Sequence, residues 1–149
     1  MAGVRVVANT GDISFATATK TIMQLVAAAN HRIKIERIRV SFKGQSGSEA
    51  PVLVELLRQS TAGTMTSLTL YKANDSDDET IQTTAQHTAT AEPTAGDVIA
   101  SQLVHPQAGY DFVFLPGREL FVKGGGRLGV RVNTPMQAGT IDVSAEIEE

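Results

Sequence analysis

The side chains able to do chemistry are few in this chain, and they lie far apart. Histidines stand at 31, 87 and 105, each in a different segment. None is two or four residues from another metal-ligating side chain, so His31, His87 and His105 do not form a ligand set by spacing. A serine nucleophile of the Gly-x-Ser-x-Gly type is absent. Ser46, in Gly44-Gln45-Ser46-Gly47, sits in a loop-forming stretch. The sharpest acidic cluster is Asp75-Ser76-Asp77-Asp78-Glu79-Thr80. Counted as a calcium loop from Asp75, its sixth position is Thr80 where glycine is needed. Its twelfth is Gln86 where glutamate is needed, so the EF-hand pattern fails. A solvated loop tip is expected there, with an irregular calcium site around Asp75 to Asp78 left open.

Two further motifs have plain explanations. Gly124-Gly125-Gly126 lacks the Gly-Lys-Ser/Thr ending and the following helix of a phosphate loop. A hairpin turn needing positive φ accounts for the triplet, with Arg127 opening a strand. Arg32, Lys34, Arg37 and Arg39 form the densest basic run, but Glu36 interrupts it, and a strand with a solvated polar face explains it. The expectation is a protein with no catalytic, cofactor-binding or metal residues, and not an enzyme.

Composition narrows the partners. The 149 residues carry a net charge of −3, which gives no basic face for nucleic acid. No apolar run is long enough to span a bilayer as a helix. Met1-Ala2-Gly3-Val4-Arg5 leads into a strand-like run instead of a signal-peptide pattern. Cysteine is absent, which removes disulfides and thiolate chemistry. Five phenylalanines, two tyrosines and no tryptophan give few large anchors, and small β-branched residues bury little area each. Stability drawn from self-association is the expectation.

The elements that would position any site are strands. Residues 140–149 alternate strictly, with Ile141, Val143, Ala145 and Ile147 on one face. Residues 32–42 form the strongest strand, with Ile33 and Ile35 in one parity and Ile38, Val40 and Phe42 in the other. The slip at Glu36-Arg37 predicts a bulge or a sandwich corner. Residues 19–29 fit a helix face or a strand, and the β surroundings favour the strand. Residues 51–59 are apolar on both faces and belong in the centre of a sheet. Further strands are predicted at 67–72, 81–90, 98–104, 110–114, 119–123 and 127–132, with a loop at 91–96. Strand runs recurring about every ten residues point to an all-β sandwich or barrel. The predicted core comprises Ile33, Ile35, Ile38, Val40, Val54, Leu56, Leu68, Leu70, Phe112, Phe114, Leu128, Val130, Val132, Ile141 and Val143. Residues 1–20 are expected to be an N-terminal arm or an edge strand, and residues 21–149 a single domain.

The order of segments in the second half carries a resemblance. It runs from Thr88-Ala89-Thr90-Ala91-Glu92-Pro93-Thr94 through Val104-His105-Pro106-Gln107 and Phe112-Val113-Phe114-Leu115-Pro116-Gly117. It continues with Val122-Lys123-Gly124-Gly125-Gly126-Arg127-Leu128-Gly129-Val130-Arg131-Val132 and closes on Glu146-Ile147-Glu148-Glu149. Over roughly residues 80–149 the chain resembles the head decoration, or cement, proteins of tailed bacteriophages. The resemblance implies an antiparallel β-sandwich of jelly-roll type with about eight strands, a homotrimer, and a place on the outer surface of the capsid. The implied partners are the major capsid protein and further copies of the chain, and no functional residues carry over. A head-fibre base, a tail-associated β module and a carbohydrate-binding jelly roll are the rival readings.

Overall fold

Every regular element in the computed structural model, which describes residues 3–43 and 50–149, is a β-strand. In chain order these are β1 (Arg5–Asn9), β2 (Ile13–Phe15), β3 (Lys20–Val26), β4 (Ile33–Lys43), β5 (Val52–Gln59), β6 (Thr64–Leu68) and β7 (Tyr71–Lys72). There follow β8 (Thr84–Ala91), β9 (Ala95–Val104), β10 (Tyr110–Val113), β11 (Leu120–Val122), β12 (Arg127–Val132) and β13 (Gly139–Glu148). They form two antiparallel sheets that share one core, a β-sandwich. The first sheet has the order β10-β4-β13-β1-β7, with β11 also on β4 and β2 also on β13; the second has the order β6-β8-β3-β12-β5-β9. Among the described residues there are thirteen strands where eight or so were expected. Part of the excess is interruption, because β10 and β11 share one side of β4, and β1 and β2 share one side of β13. The rest is the excursion β6, β7 and β8 between β5 and β9.

Without that excursion the pairings nest: β1 with β13, β3 with β12, β4 with β10 and β11, and β5 with β9. Members of successive pairs lie in alternate sheets. Such a chain behaves as one long hairpin folded back over itself. The predicted slip in β4 is a bulge, since the register with β13 shifts at Glu36, between Arg37↔Glu146 and Ile35↔Ile147. The gap between β10 and β11 falls at the same point, where the amide of Phe114 donates to the carbonyl of Glu36 at 3.1 Å. The ambiguous segment 19–29 contains strand β3, as its surroundings favoured.

Three sequence expectations are corrected. The single strand predicted over 67–72 is two, because the chain leaves one sheet after Leu68 and enters the other at Tyr71. Leu68 and Leu70 both pack on the core from that crossing, so alternation survives where the strand does not. The loop predicted at 91–96 shrinks to Glu92-Pro93-Thr94. The glycine triplet is not a hairpin turn, since β11 and β12 lie in different sheets. Gly125, at φ 73°, turns the chain across the sandwich, and a Cβ on Gly124 would come within 2.7 Å of the carbonyl oxygen of Ala29.

The predicted core residues are all in the core: twelve are buried, and Leu68, Leu70 and Phe114 are partly buried against it. Its unpredicted part comes largely from the first twenty-six residues, including Val4, Val6, Ala8, Ile13, Phe15, Ile22, Met23 and Leu25. The segment 1–20 thus contains the two short strands β1 and β2. β1 is flanked on both sides, by β13 along its length and by β7 at Val6 and Val7.

The outer face of the second sheet holds a buried polar layer. Gln24 and Thr21 are fully buried, and Gln59 nearly so. The Gln24 side-chain amide donates to Gln59 Oε1 at 2.8 Å and to the carbonyl of Thr61 at 3.0 Å; Gln59 Nε2 donates to Thr21 Oγ1 at 3.0 Å. β8 pairs with β3 only up to Met23↔His87, and Thr88 then turns away at φ 58°. The amide of Thr21 donates to Glu92, at 2.8 Å to Oε1, and the Thr21 hydroxyl donates to Glu92 Oε2 at 2.6 Å. A carboxylate thus replaces the missing strand, which keeps the buried donors satisfied.

On the outer face of the first sheet the basic run is an ion-pair ladder. Lys34 Nζ lies 2.5 Å from Glu148 and 3.7 Å from Glu36, and Arg5 lies 3.4 Å from Glu36. Arg37 Nε donates to Asp111 at 2.9 Å, and Lys43 meets Asp12 at 2.6 Å. The hydrogen bond from Lys34, helped by the amide of Gly3, holds the Glu148 carboxyl below the ordinary glutamate value of 4.5. Arg37 does the same to Asp111. With folded values below the unfolded ones, this stabilisation is complete above the ordinary carboxylate range and is lost as pH falls through the lowered values. Glu148→Gln is therefore expected to be less stable than wild type at neutral pH, with the gap closing as pH drops below 4.5. Urea titrations showing a constant gap down to strong acid would contradict this.

Candidate interaction surface

The singled-out residues do not converge. His31 Nε2 lies 3.7 Å from Glu149, His87 Nδ1 lies 2.8 Å from the Thr88 hydroxyl, and His105 Nδ1 accepts from the amide of Gln107 at 3.1 Å. Among the described residues no group of three or more His, Cys, Asp or Glu side chains is placed to hold a metal. The acidic tip at 75–80 is mostly exposed, and Asn74 organises it. The Asn74 side-chain oxygen accepts from the Ser76 hydroxyl at 2.8 Å, and its amide donates to Asp77 at 3.2 Å. Ser46 and its loop lie outside the described residues. Glu149 accepts from the amides of Gln82 and Thr83 and from the Thr83 hydroxyl. Burial pushes the Glu149 carboxyl up, but the Thr83 hydroxyl, these amides and His31 together hold it below its ordinary value. This contact ties the chain after the acidic tip to the end of β13 and leaves no open chemistry.

The unusual feature is one flank of the sandwich. β9 is the last strand of the second sheet, and β10 and β11 are the outermost strands of the first. The turn 105–109 joins β9 to β10 at one end of this flank, where Gly109 takes a φ of 68°. At the other end Gly96 of β9 and Phe121 and Val122 of β11 line the same cleft. Two open sheet edges therefore run along one side of the molecule.

That side is apolar. β9 exposes Val98, Ile99 and Leu103, the last at 64%; β10 exposes Tyr110 and Val113, the latter at 60%. Leu115, in the gap after β10, is 64% exposed, and Phe121 of β11 is also exposed. Of the large exposed apolar side chains among the described residues, only Tyr71 and Met136 lie elsewhere. A long open edge is normally blunted by lysine, proline or a covering loop. β9 has ten residues, Ala95-Gly96-Asp97-Val98-Ile99-Ala100-Ser101-Gln102-Leu103-Val104, with neither lysine nor proline among them. A concentrated apolar patch on such an edge is suited to contact with another surface.

Sequence reading missed this flank for a clear reason. Val98, Ile99 and Leu103 look like core residues of any strand, and only the sheet order shows that β9 has no second neighbour. No family model matches the chain, and no curated protein or solved structure matches it either.

Proposed function

We propose that this chain is a structural protein of a tailed-bacteriophage particle, one that decorates and stabilises the capsid from outside. In this reading its nested strand pairings form a jelly roll, with β6, β7 and β8 as an insertion. Copies associate as a homotrimer, and each trimer bridges several subunits of the major capsid protein. The observation that carries the reading is the open apolar flank of β9, β10 and β11, a surface suited to contact with other protein. Many weak bridges on one shell act together, since each contact made raises the effective concentration of the next. The resemblance over residues 80–149 supplies the phage context, and that span contains the whole flank.

Two measurements test it. Val98→Lys/Leu103→Lys places charges on the open edge at side chains 45% and 64% exposed; Val98 stands opposite the buried Leu57, so the fold is expected to persist with a loss of about 1 kcal/mol. Light scattering is expected to show a wild-type oligomer and a folded monomeric variant; a wild type that stays monomeric both free and on particles would refute self-association. Purified particles are expected to contain the chain at a copy number matching capsid symmetry, with density on threefold or quasi-threefold positions. Density at a head fibre or the tail would favour another particle module instead.

A further inference from the structure

At the end of this flank a cleft of about 710 Å³ opens between β9 and β11. Its lining includes Arg32, Arg58, Lys123 and Arg127 and, among the described residues, no carboxylate. These cations come from three separate stretches, around Arg32, around Arg58 and from Lys123 to Arg127, of a chain whose net charge is −3. Elsewhere Arg5, Lys34, Arg37, Arg39, Lys43 and Arg131 each meet an aspartate or glutamate. Among the described residues the four cleft cations form no ion pair.

Two of the four are nevertheless positioned, and by neutral groups. Arg127 Nη1 donates to Gln24 Oε1 at 3.1 Å, and Gln24 is itself fixed by the buried bonds to Gln59 and Thr61. The guanidinium carbon of Arg32 stands 4.5 Å from the centre of the Phe121 ring. A stacked or amide-braced guanidinium keeps its positive charge and most of its donors free. Arg58 and Lys123 make no side-chain hydrogen bond among the described residues and are free to turn toward a ligand. Four like charges around one cleft repel each other unless an anion enters, and guanidinium forks match the paired oxygens of phosphate or carboxylate.

We propose that this cleft is a binding site for a small ligand carrying two or more oxyanion groups, either a phosphate chain or a polycarboxylate. Arg127 and Arg32 are its fixed contacts, and Arg58 and Lys123 close on it. The volume suits a ligand of ordinary small-molecule size. The site is independent of the phage reading, so either can fail alone.

The test is calorimetric titration of the intact protein with tripolyphosphate and with citrate at low ionic strength, repeated on Arg58→Gln/Lys123→Gln. Saturable one-to-one binding is expected from at least one probe, weakened ~10-fold or more in the variant, with an unchanged melting curve. The probe that binds more tightly identifies phosphate or carboxylate as the preferred group. Binding should also weaken as salt is raised. No saturable binding by either probe at millimolar concentration would overturn the proposal, and so would binding that the double substitution leaves intact.

Discussion

Removal of residues 2–18 is expected to abolish folding. The deletion takes away β1 and β2, and with them Val4, Val6, Ile13 and Phe15, all less than 8% exposed. Each large apolar side chain contributes about 1.5–3 kcal/mol on full burial, so these four together contribute about 6–12 kcal/mol. That is comparable to the whole stability of a domain, about 5–15 kcal/mol. The deletion also strips β13 of β1 and β2, two of its three partners and all of one side. Circular dichroism and a protease challenge are the measurements. A truncated chain that still melts cooperatively near the wild-type temperature would mean that this segment acts as a detachable arm.

A valine at Gly129 is expected to be the most damaging single substitution. Gly129 is in the middle of β12, between Gln24 on β3 and Leu57 on β5. A Cβ there would sit 2.4 Å from the Gln59 side chain, which lies over the strand in the space the glycine leaves. Moving Gln59 breaks its bonds to Gln24 and Thr21 and strands buried amide groups. Overpacking and unsatisfied buried polar groups together make a loss of about 3–5 kcal/mol the expectation. Thermal denaturation should fall by about 10 °C or more. Gly129→Val/Gln59→Ala should lose less than the sum of its two single variants, because the clash is shared. Strict additivity would show that Gln59 is not what the valine meets.

Much of the fold was legible because burial in a sandwich repeats every second residue. The alternation of Ile141, Val143, Ala145 and Ile147 located β13, and the parity change around Glu36 located its partner's bulge. What failed were features that alternation cannot encode. Ser67 to Lys72 keeps its period through a change of sheet, so one strand was expected where there are two. Gln24 and Gln59 look like solvent-facing residues, and they are buried only because the chain around Thr61 and Glu92 closes over them. The basic cleft was illegible for a related reason. Arg32, Arg58, Lys123 and Arg127 are scattered along the sequence, and the sandwich alone brings them together.

The nested pairings also fix the order in which the molecule can be completed during synthesis. The innermost pair, β5 with β9, closes the shortest of the four loops and can form while the chain is still emerging. β4 must wait for β10 and β11; β3 and β1 can meet β8 and β7 earlier, but the nested partner of β3 is β12 and that of β1 is β13, nearly the full length of the chain away. Closing such distant contacts is slow, and unpaired strand edges stay open to neighbouring chains in the meantime. β1 is the earliest of these strands to be made, and its full-length partner is the latest.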